Sequence, residues 1–327
     1  MAPVATPFRV LAIDGGGIRG VIPATVLAEL ERRLAPRSLA TDFDLIVGTS
    51  TGGIIALGLA APDGDRPRHS AQGLLDLYLN DAESIFPGGG RVAHPRAGWL
   101  REGTRYLASE LEELLARFFG DTPLTAALTG VVVTSYDLAN GEPVTLSSRS
   151  EFGGLSDVTM VAAARATSAA PMFFAPQIVV DGERERFLVD GGLYANNPAV
   201  LGYLLGGQAA ACDELPLALV SLGTGTRGAR AAVPGAERVQ MRDASTVARA
   251  VLEAVSTGSG NLGDLLLARL ADGERFRYWR LQTTVGSCSF TMDDSSPDNV
   301  ACLYDRAREL VADSDEELSE IAGALAS

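Results

Sequence analysis

Gly48-Thr49-Ser50-Thr51-Gly52-Gly53 stands between two apolar runs, Leu45-Ile46-Val47 and Ile54-Ile55-Ala56-Leu57. Strand, tight glycine turn, then helix, with a serine at the apex, is the pattern of a nucleophile elbow, G-x-S-x-G. The glycines on either side of Ser50 let the backbone reverse without a Cβ clash. Such a turn pushes the hydroxyl outward and leaves the amide of Thr51 free to donate to an oxyanion. A serine that merely caps a helix behind a glycine-rich turn has the same look. The hexapeptide alone leaves both readings open.

Upstream, Phe8–Ile13 reads as the first strand and Val21–Leu34 as a helix, with Pro23 tolerated in its first turn. Between them lies Asp14-Gly15-Gly16-Gly17-Ile18-Arg19-Gly20. A G-x-G-x-x-G in this place raises a nucleotide-binding module built on the Gly15–Gly20 loop. That motif calls for an acidic residue ending the second strand. Here the second strand ends in the Gly48 turn, and Asp42 and Asp44 precede it. The alternative reading is an anion cradle of successive glycine amides at a helix start. Its anion is then the oxyanion of a tetrahedral intermediate on Ser50. Arg19 would add positive charge there or bind a phosphate bidentately.

A serine nucleophile needs a base. The chain has two histidines, His69 and His94, and no lysine. No histidine precedes Ser50 and none follows His94, so the known Ser-His-Asp orders are excluded. The absent lysine removes a Ser-Lys pair, a Walker A loop and a pyridoxal Schiff base. A carboxylate remains. Asp190 is the best placed, at the end of an apolar strand and before Gly191-Gly192. It needs burial to raise its pKa into a useful range. Asp-Gly is equally a standard turn signal, so this segment by itself supports a turn aspartate as well.

The 327 residues suit one large α/β domain or two small ones, and 46% hydrophobic content supplies a substantial core. With 27 basic and 41 acidic residues the formal net charge is -14. That excludes a nucleic-acid polymer as the expected partner and argues against bulk-charge adhesion to an anionic membrane. Cys212, Cys288 and Cys302 have no metal or redox spacing and are expected to be reduced and structural. No signal peptide and no run of membrane-spanning length is evident. The expectation is a cytoplasmic protein that meets lipid, if at all, from the water side.

Helices are expected near 51–61, 70–83 and 106–119, and over 156–167 with Ser156 or Asp157 as cap. Strands are expected at Val131–Val133 and Val144–Leu146, joined through the Asn140-Gly141 turn. A hairpin is expected over 177–190 around Asp181-Gly182, and a further strand at Leu217–Leu222. From about 243 the pattern turns helical, with a break at Gly258-Ser259-Gly260, a strand-like 276–284 and an acidic terminal helix near 313–326. Residues 86–103 are rich in glycine and proline and carry Arg91, Arg96, Arg101, Trp99 and Leu100. They read either as a lid or interfacial loop or as a surface loop with Trp99 buried.

Taken together, Asp14–Gly20, Gly48–Gly52 and Asp190-Gly191-Gly192 resemble the oxyanion, G-x-S-x-G and D-G-A/G motifs of the patatin-like phospholipases. Ser168-Ala169-Ala170-Pro171, Asn196-Asn197-Pro198 and Ser221-Leu222-Gly223-Thr224-Gly225 are similar to further segments of that family. The resemblance implies a three-layer α/β/α fold around a largely parallel central sheet. It implies a catalytic domain over 8–225, leaving 226–327 as a mainly helical extension packed on the same domain. It implies a dyad, with Ser50 attacking an ester carbonyl and Asp190 as base. The amides of Gly15, Gly16, Gly17 and Thr51 would hold the oxyanion, and Arg19 would bind substrate. No metal or other cofactor is implied. The implied substrate is a membrane phospholipid or related lipid ester, met by peripheral membrane contact, and an oligomer is compatible with it. A general carboxylesterase is the nearer alternative and a catalytically silent member the farther one. The stretch from Val131 to Gly141 is similar to bacterial members, some of them antiviral effectors switched on by a cyclic nucleotide. A cyclic dinucleotide activator is therefore part of what the resemblance implies.

Overall fold

A computed structural model describes residues 6–85, 106, 108–212, 214–228 and 244–326. Loop 86–103, with His94 and Trp99, lies outside them. The helices are α1 Val21–Leu34, α2 Leu39–Asp42, α3 Thr51–Ala60, α4 Ala71–Asn80, α5 Ala82–Ile85 and α6 Ala108–Phe119. They continue with α7 Met160–Ser168, α8 Gly192–Ala195, α9 Ala199–Cys212, α10 Ala244–Leu270, α11 Pro297–Asp313 and α12 Asp315–Ala326. The strands are β1 Phe8–Ile13, β2 Leu45–Gly48, β3 Pro62–Asp63, β4 Arg66–Pro67 and β5 Gly130–Asp137. They are followed by β6 Glu142–Ser147, β7 Gln177–Asp181, β8 Arg184–Asp190, β9 Leu217–Leu222 and β10 Phe276–Leu281.

Eight strands make the central sheet in the order β10-β9-β1-β2-β5-β8-β7, with β6 pairing β5 off that path. β10, β9, β1, β2 and β5 run parallel, whereas β6 and β8 are antiparallel to β5 and β7 to β8. The inner strands β1, β2 and β9 are buried along most of their length, so they are apolar almost throughout rather than alternating. Their side chains still divide by the two-residue period of a strand. Leu11 and Ile13 of β1 join the core under α1, α3, α4, α11 and α12, while Val10 and Ala12 face Ala199 of α9 and Leu267 of α10. Helices thus cover both faces, giving the three-layer α/β/α arrangement around a largely parallel sheet.

Register decides where the loops emerge. Ile13 pairs with Gly48 on one side and Leu222 on the other. The segments that leave β1, β2 and β9 therefore start side by side at one edge of the sheet. β1 has its sequence neighbour β2 on one flank and β9 on the other, which is the switch-point geometry where open α/β sheets form their crevices. Val133 pairs with Gly48 and Ser135 with Asp190, which brings the end of β8 to the same rim.

Several local expectations change. The cap of α7 is Thr159, whose side chain accepts from the Ala162 amide, and not Ser156 or Asp157. No break occurs at Gly258–Gly260, because α10 runs unbroken through it. Each glycine in a helix costs roughly 1 kcal/mol relative to alanine. At Gly263 the helix packs tightly, since a Cβ there would lie 3.0 Å from Val200 Cγ2, whereas at Gly258 and Gly260 a Cβ would fit. The stretch after 225 adds β10 to the sheet edge and packs α11 and α12 against α1.

The cysteine expectation is also corrected. Cys288 and Cys302 form a disulfide across a sequence separation of 14, and Cys212 is free and exposed. Sequence spacing carries no information on pairing here, since the two sulfurs meet only once α11 folds back on the segment after β10. Closing a loop of this length is expected to stabilise by about 3 kcal/mol. Cys288→Ser should therefore lower the unfolding free energy by about that much. Urea denaturation with and without a reducing agent checks it: the wild type in reductant should match the variant. Among the described residues no helix is long and apolar enough to cross a membrane.

Candidate active site

Ser50 sits at the N-terminus of α3 with φ 56 and ψ -124, one of three non-glycine residues with positive φ among those described. Such a conformation costs on the order of 1–3 kcal/mol and persists only where the surroundings enforce it. The enforcement is visible. A Cβ on Gly48 would lie 2.3 Å from the Gly52 carbonyl oxygen, and one on Gly52 would lie 2.2 Å from the Ile13 carbonyl oxygen. Both glycines are needed for the turn to close against β1. The Ser50 amide donates to Thr167 Oγ1 at 2.9 Å, and the Gly52 amide to the Thr49 carbonyl at 2.8 Å. Thr51 Oγ1 is hydrogen-bonded to the hydroxyl of buried Tyr78, which secures the first turn of α3 from behind.

Asp190 ends β8 and is buried. The Ser50 hydroxyl lies in the same pocket, close enough to its carboxylate to favour the ionised form. Asp190 Oδ1 accepts from the Gly192 amide at 2.8 Å. Burial pushes the Asp190 carboxyl up to about 6, against the opposing pull of Ser50 and the Gly192 amide. The chain then turns at Gly191, where a Cβ would lie 2.1 Å from Thr134 Oγ1. Thr49 Oγ1 donates to the Ala195 carbonyl at 2.6 Å and is bonded to Thr134 Oγ1 at 2.7 Å. The segments carrying Ser50 and Asp190 are thereby tied to each other.

The glycine loop after β1 completes the constellation, with one correction. The Gly15 amide donates to the Asn196 carbonyl at 2.9 Å, so it is not free to hold an oxyanion. Gly16, Gly17, Ser50 and Thr51 line a common pocket with Asp190. Among the described residues the amides of Gly16, Gly17 and Thr51 have no hydrogen-bond acceptor. Arg19 does not line that pocket. Its guanidinium is buried, with Nε donating to the Gly16 carbonyl at 3.2 Å and Nη1 to the Gly225 carbonyl at 3.1 Å, and it lies over the Phe290 ring at 4.0 Å. The carbonyls of Gly16, in the loop, and of Gly225, after β9, hold the guanidinium expected to face substrate.

The rest of the wall is mostly apolar, with Ile54, Leu111, Phe173, Phe174, Leu193 and Met292 beside the polar Ser168, Asn196 and Asp293. The apolar ones come from separate elements, and none carried a motif. Thr167 and Thr134 were missed for the same reason. Thr224 was quoted only within a motif, yet it donates to the Gly15 carbonyl at 2.7 Å. His69 is far from this chemistry: its ring stacks on Phe118 at 3.7 Å and Nε2 bonds the Phe118 carbonyl. Among the described residues no three His, Cys, Asp or Glu side chains converge as a metal site would need.

The site of this α/β protein thus brings together a serine at a strained strand-to-helix turn, a buried carboxylate and the backbone amides of Gly16, Gly17 and Thr51. The family model described as "Patatin-like phospholipase" matches residues 11–202. The chain belongs to the patatin-like phospholipase family. It is 38% identical over 228 residues to "Patatin-like protein 2" of Oryza sativa subsp. indica, covering 64% of this chain and 56% of that one. It is 31% identical over 330 residues to "Patatin-2-Kuras 4" of Solanum tuberosum, covering 92% and 86%. The chain thus spans little more than half the length of the rice relative. Among solved structures, VipD from Legionella pneumophila aligns with a TM-score of 0.41 at 12% identity, over 94% of this chain and 67% of that one.

Proposed function

We propose that this chain is a lipid acyl hydrolase that cleaves ester-linked acyl chains of membrane phospholipids or closely related lipid esters. The observation that carries the reading is Ser50 and the buried Asp190 carboxyl in one pocket, with burial lifting the carboxyl pKa to about 6. A carboxylate with that pKa is ionised near neutral pH and still basic enough to take a proton in the transition state. In the first half-reaction Ser50 Oγ attacks the ester carbonyl carbon while Asp190 accepts the hydroxyl proton. The amides of Gly16, Gly17 and Thr51 donate to the oxygen that gains charge. The alcohol leaves with the proton held by Asp190, and an acyl-Ser50 remains. In the second half, Asp190 takes a proton from water, the hydroxide attacks the acyl carbon, and Ser50 Oγ departs with that proton. The mostly apolar wall, with Ile54, Leu111, Phe173, Phe174, Leu193 and Met292, suits an acyl chain better than a nucleotide.

The reactive groups all lie within residues 8–225, and the later stretch supports them from the sheet edge and the outer helices. The test is mass spectrometry of products from a mixed phospholipid extract, with Ser50→Ala as control. Free fatty acid and lysophospholipid, absent with the variant, are expected. Turnover confined to short soluble esters would replace the reading with a general carboxylesterase. No turnover together with no fluorophosphonate labelling of Ser50 would sink it. A parallel arm with cyclic dinucleotides tests activation, for which a rise in rate is the supporting result.

A further inference from the structure

The glycine loop is held mainly through its backbone: Thr224 Oγ1 and Asn196 Nδ2 donate to the Gly15 carbonyl and Arg19 Nε to the Gly16 carbonyl. Gly15, Gly16 and Gly17 carry no side chains, and the amides of Gly16 and Gly17 must stay in the pocket beside Ser50. The loop's first residue, Asp14, is the exception. Its buried carboxylate receives both terminal nitrogens of Arg280, Nη1 to Oδ1 at 2.9 Å and Nη2 to Oδ2 at 2.6 Å. Arg280 lies 266 positions further along the chain, in β10, beyond the stretch that the family model covers. A two-pronged charge pair fixes a carboxylate in plane and distance, which a single contact does not.

Arg280 is itself held on its other sides. Nη1 also donates to Ser221 Oγ at 2.9 Å, and Nε lies 3.0 Å from Asp264 Oδ2. Asp264, on α10, accepts from Tyr278 at 2.8 Å and from Asn197 Nδ2 at 2.6 Å. Asn197 follows Asn196, whose carbonyl receives the Gly15 amide. The same cluster therefore reaches the loop from two directions, through Asp14 and through the Asn196-Asn197 turn.

We propose that Arg280 is a positioning residue for the amides of the Asp14–Gly17 loop, acting through its paired contact with Asp14. This rests on the acyl-hydrolase reading above. If the guanidinium sets the aim of the Gly16 and Gly17 amides, its loss weakens binding of the tetrahedral oxyanion and spares binding of the ground-state ester. Displacing catalytic donors by about 1 Å costs on the order of 100-fold in rate.

The test is Arg280→Lys, which keeps a cation beside Asp14 and Asp264 and removes the two-pronged geometry. Rates are normalised to Ser50 sites titrated with a fluorophosphonate, so that only folded, labelled enzyme is counted. The expected result is a kcat about 100-fold below wild type, with KM within about threefold. Affinity for an acyl trifluoromethyl ketone, which forms the tetrahedral adduct, should fall in step with kcat. A normalised kcat within threefold of wild type would overturn the proposal. Should Arg280→Lys not fold, the double variant Asp14→Asn/Arg280→Gln decides, because it leaves neither member of the Asp14–Arg280 pair as an uncompensated charge. A persistent kcat deficit in the folded double variant supports positioning, and full recovery overturns it. Wild-type turnover and Ser50 labelling report on the acyl-hydrolase reading separately, so its failure is not mistaken for failure of the role of Arg280.

Discussion

Ser50→Ala is expected to abolish ester hydrolysis, with kcat reduced by at least about 10⁴-fold, in the range seen when a nucleophile that works as part of a unit is removed. The fold should survive. The Ser50 amide keeps its bond to Thr167 Oγ1, and the flanking Gly48 and Gly52 still close the turn. Alanine carries the same positive-φ strain as serine, so thermal unfolding should be nearly unchanged. Fluorophosphonate labelling and product release, measured on the same preparation as circular dichroism, check both halves. Turnover retained by a folded Ser50→Ala protein would remove Ser50 from the mechanism.

Asp190→Asn separates activity from stability. It removes the proton acceptor, and kcat should fall by about 10³–10⁴-fold. Its effect on stability has the opposite sign. The Asp190 carboxyl is raised from 3.8 to about 6 in the folded protein. The folded state therefore binds this proton more tightly than the unfolded chain does. Ionisation costs folded stability as pH rises from about 4 to about 6, and above that the full cost is carried, roughly 2–3 kcal/mol. Asparagine carries no such charge and still accepts from the Gly192 amide. The variant should be more stable than wild type at pH 8 by about 2 kcal/mol, and the gap should close by pH 4. Urea denaturation at the two pH values checks this. In the wild type the same group sets the acid limb of the rate profile: kcat/KM should fall about tenfold per pH unit below about 6. A flat acid limb would show that another group takes the proton.

The disulfide has a bearing on the site as well as on stability. The segment it closes carries Met292, whose carbonyl accepts from the Ile18 amide and against which Gly17 packs with no room for a Cβ. Loss of the bond is therefore felt one contact away from the amides of Gly16 and Gly17.

What the sequence determined by itself is local. A glycine two residues either side of Ser50 dictates a sharp turn, because only a residue without Cβ fits against the backbone there. The apolar runs at Phe8–Ile13 and Leu217–Leu222 could only be buried strands, and Val21–Leu34 only a helix, since each period is written in consecutive residues. The position of the histidines and the absence of lysine left a carboxylate as the partner for Ser50. What only the tertiary structure decided depends on residues far apart in the chain. Gly15 donates its amide to Asn196, and Arg19 turns its guanidinium onto Gly16 and Gly225, because strand register brings those carbonyls within reach. Cys288 finds Cys302, α10 continues through its glycines, and Asp14 meets Arg280 of β10. A glycine's need for space is a property of its own backbone and is legible at once. The partner of an amide or a guanidinium is whatever the folded sheet places beside it, and no spacing along the chain encodes that.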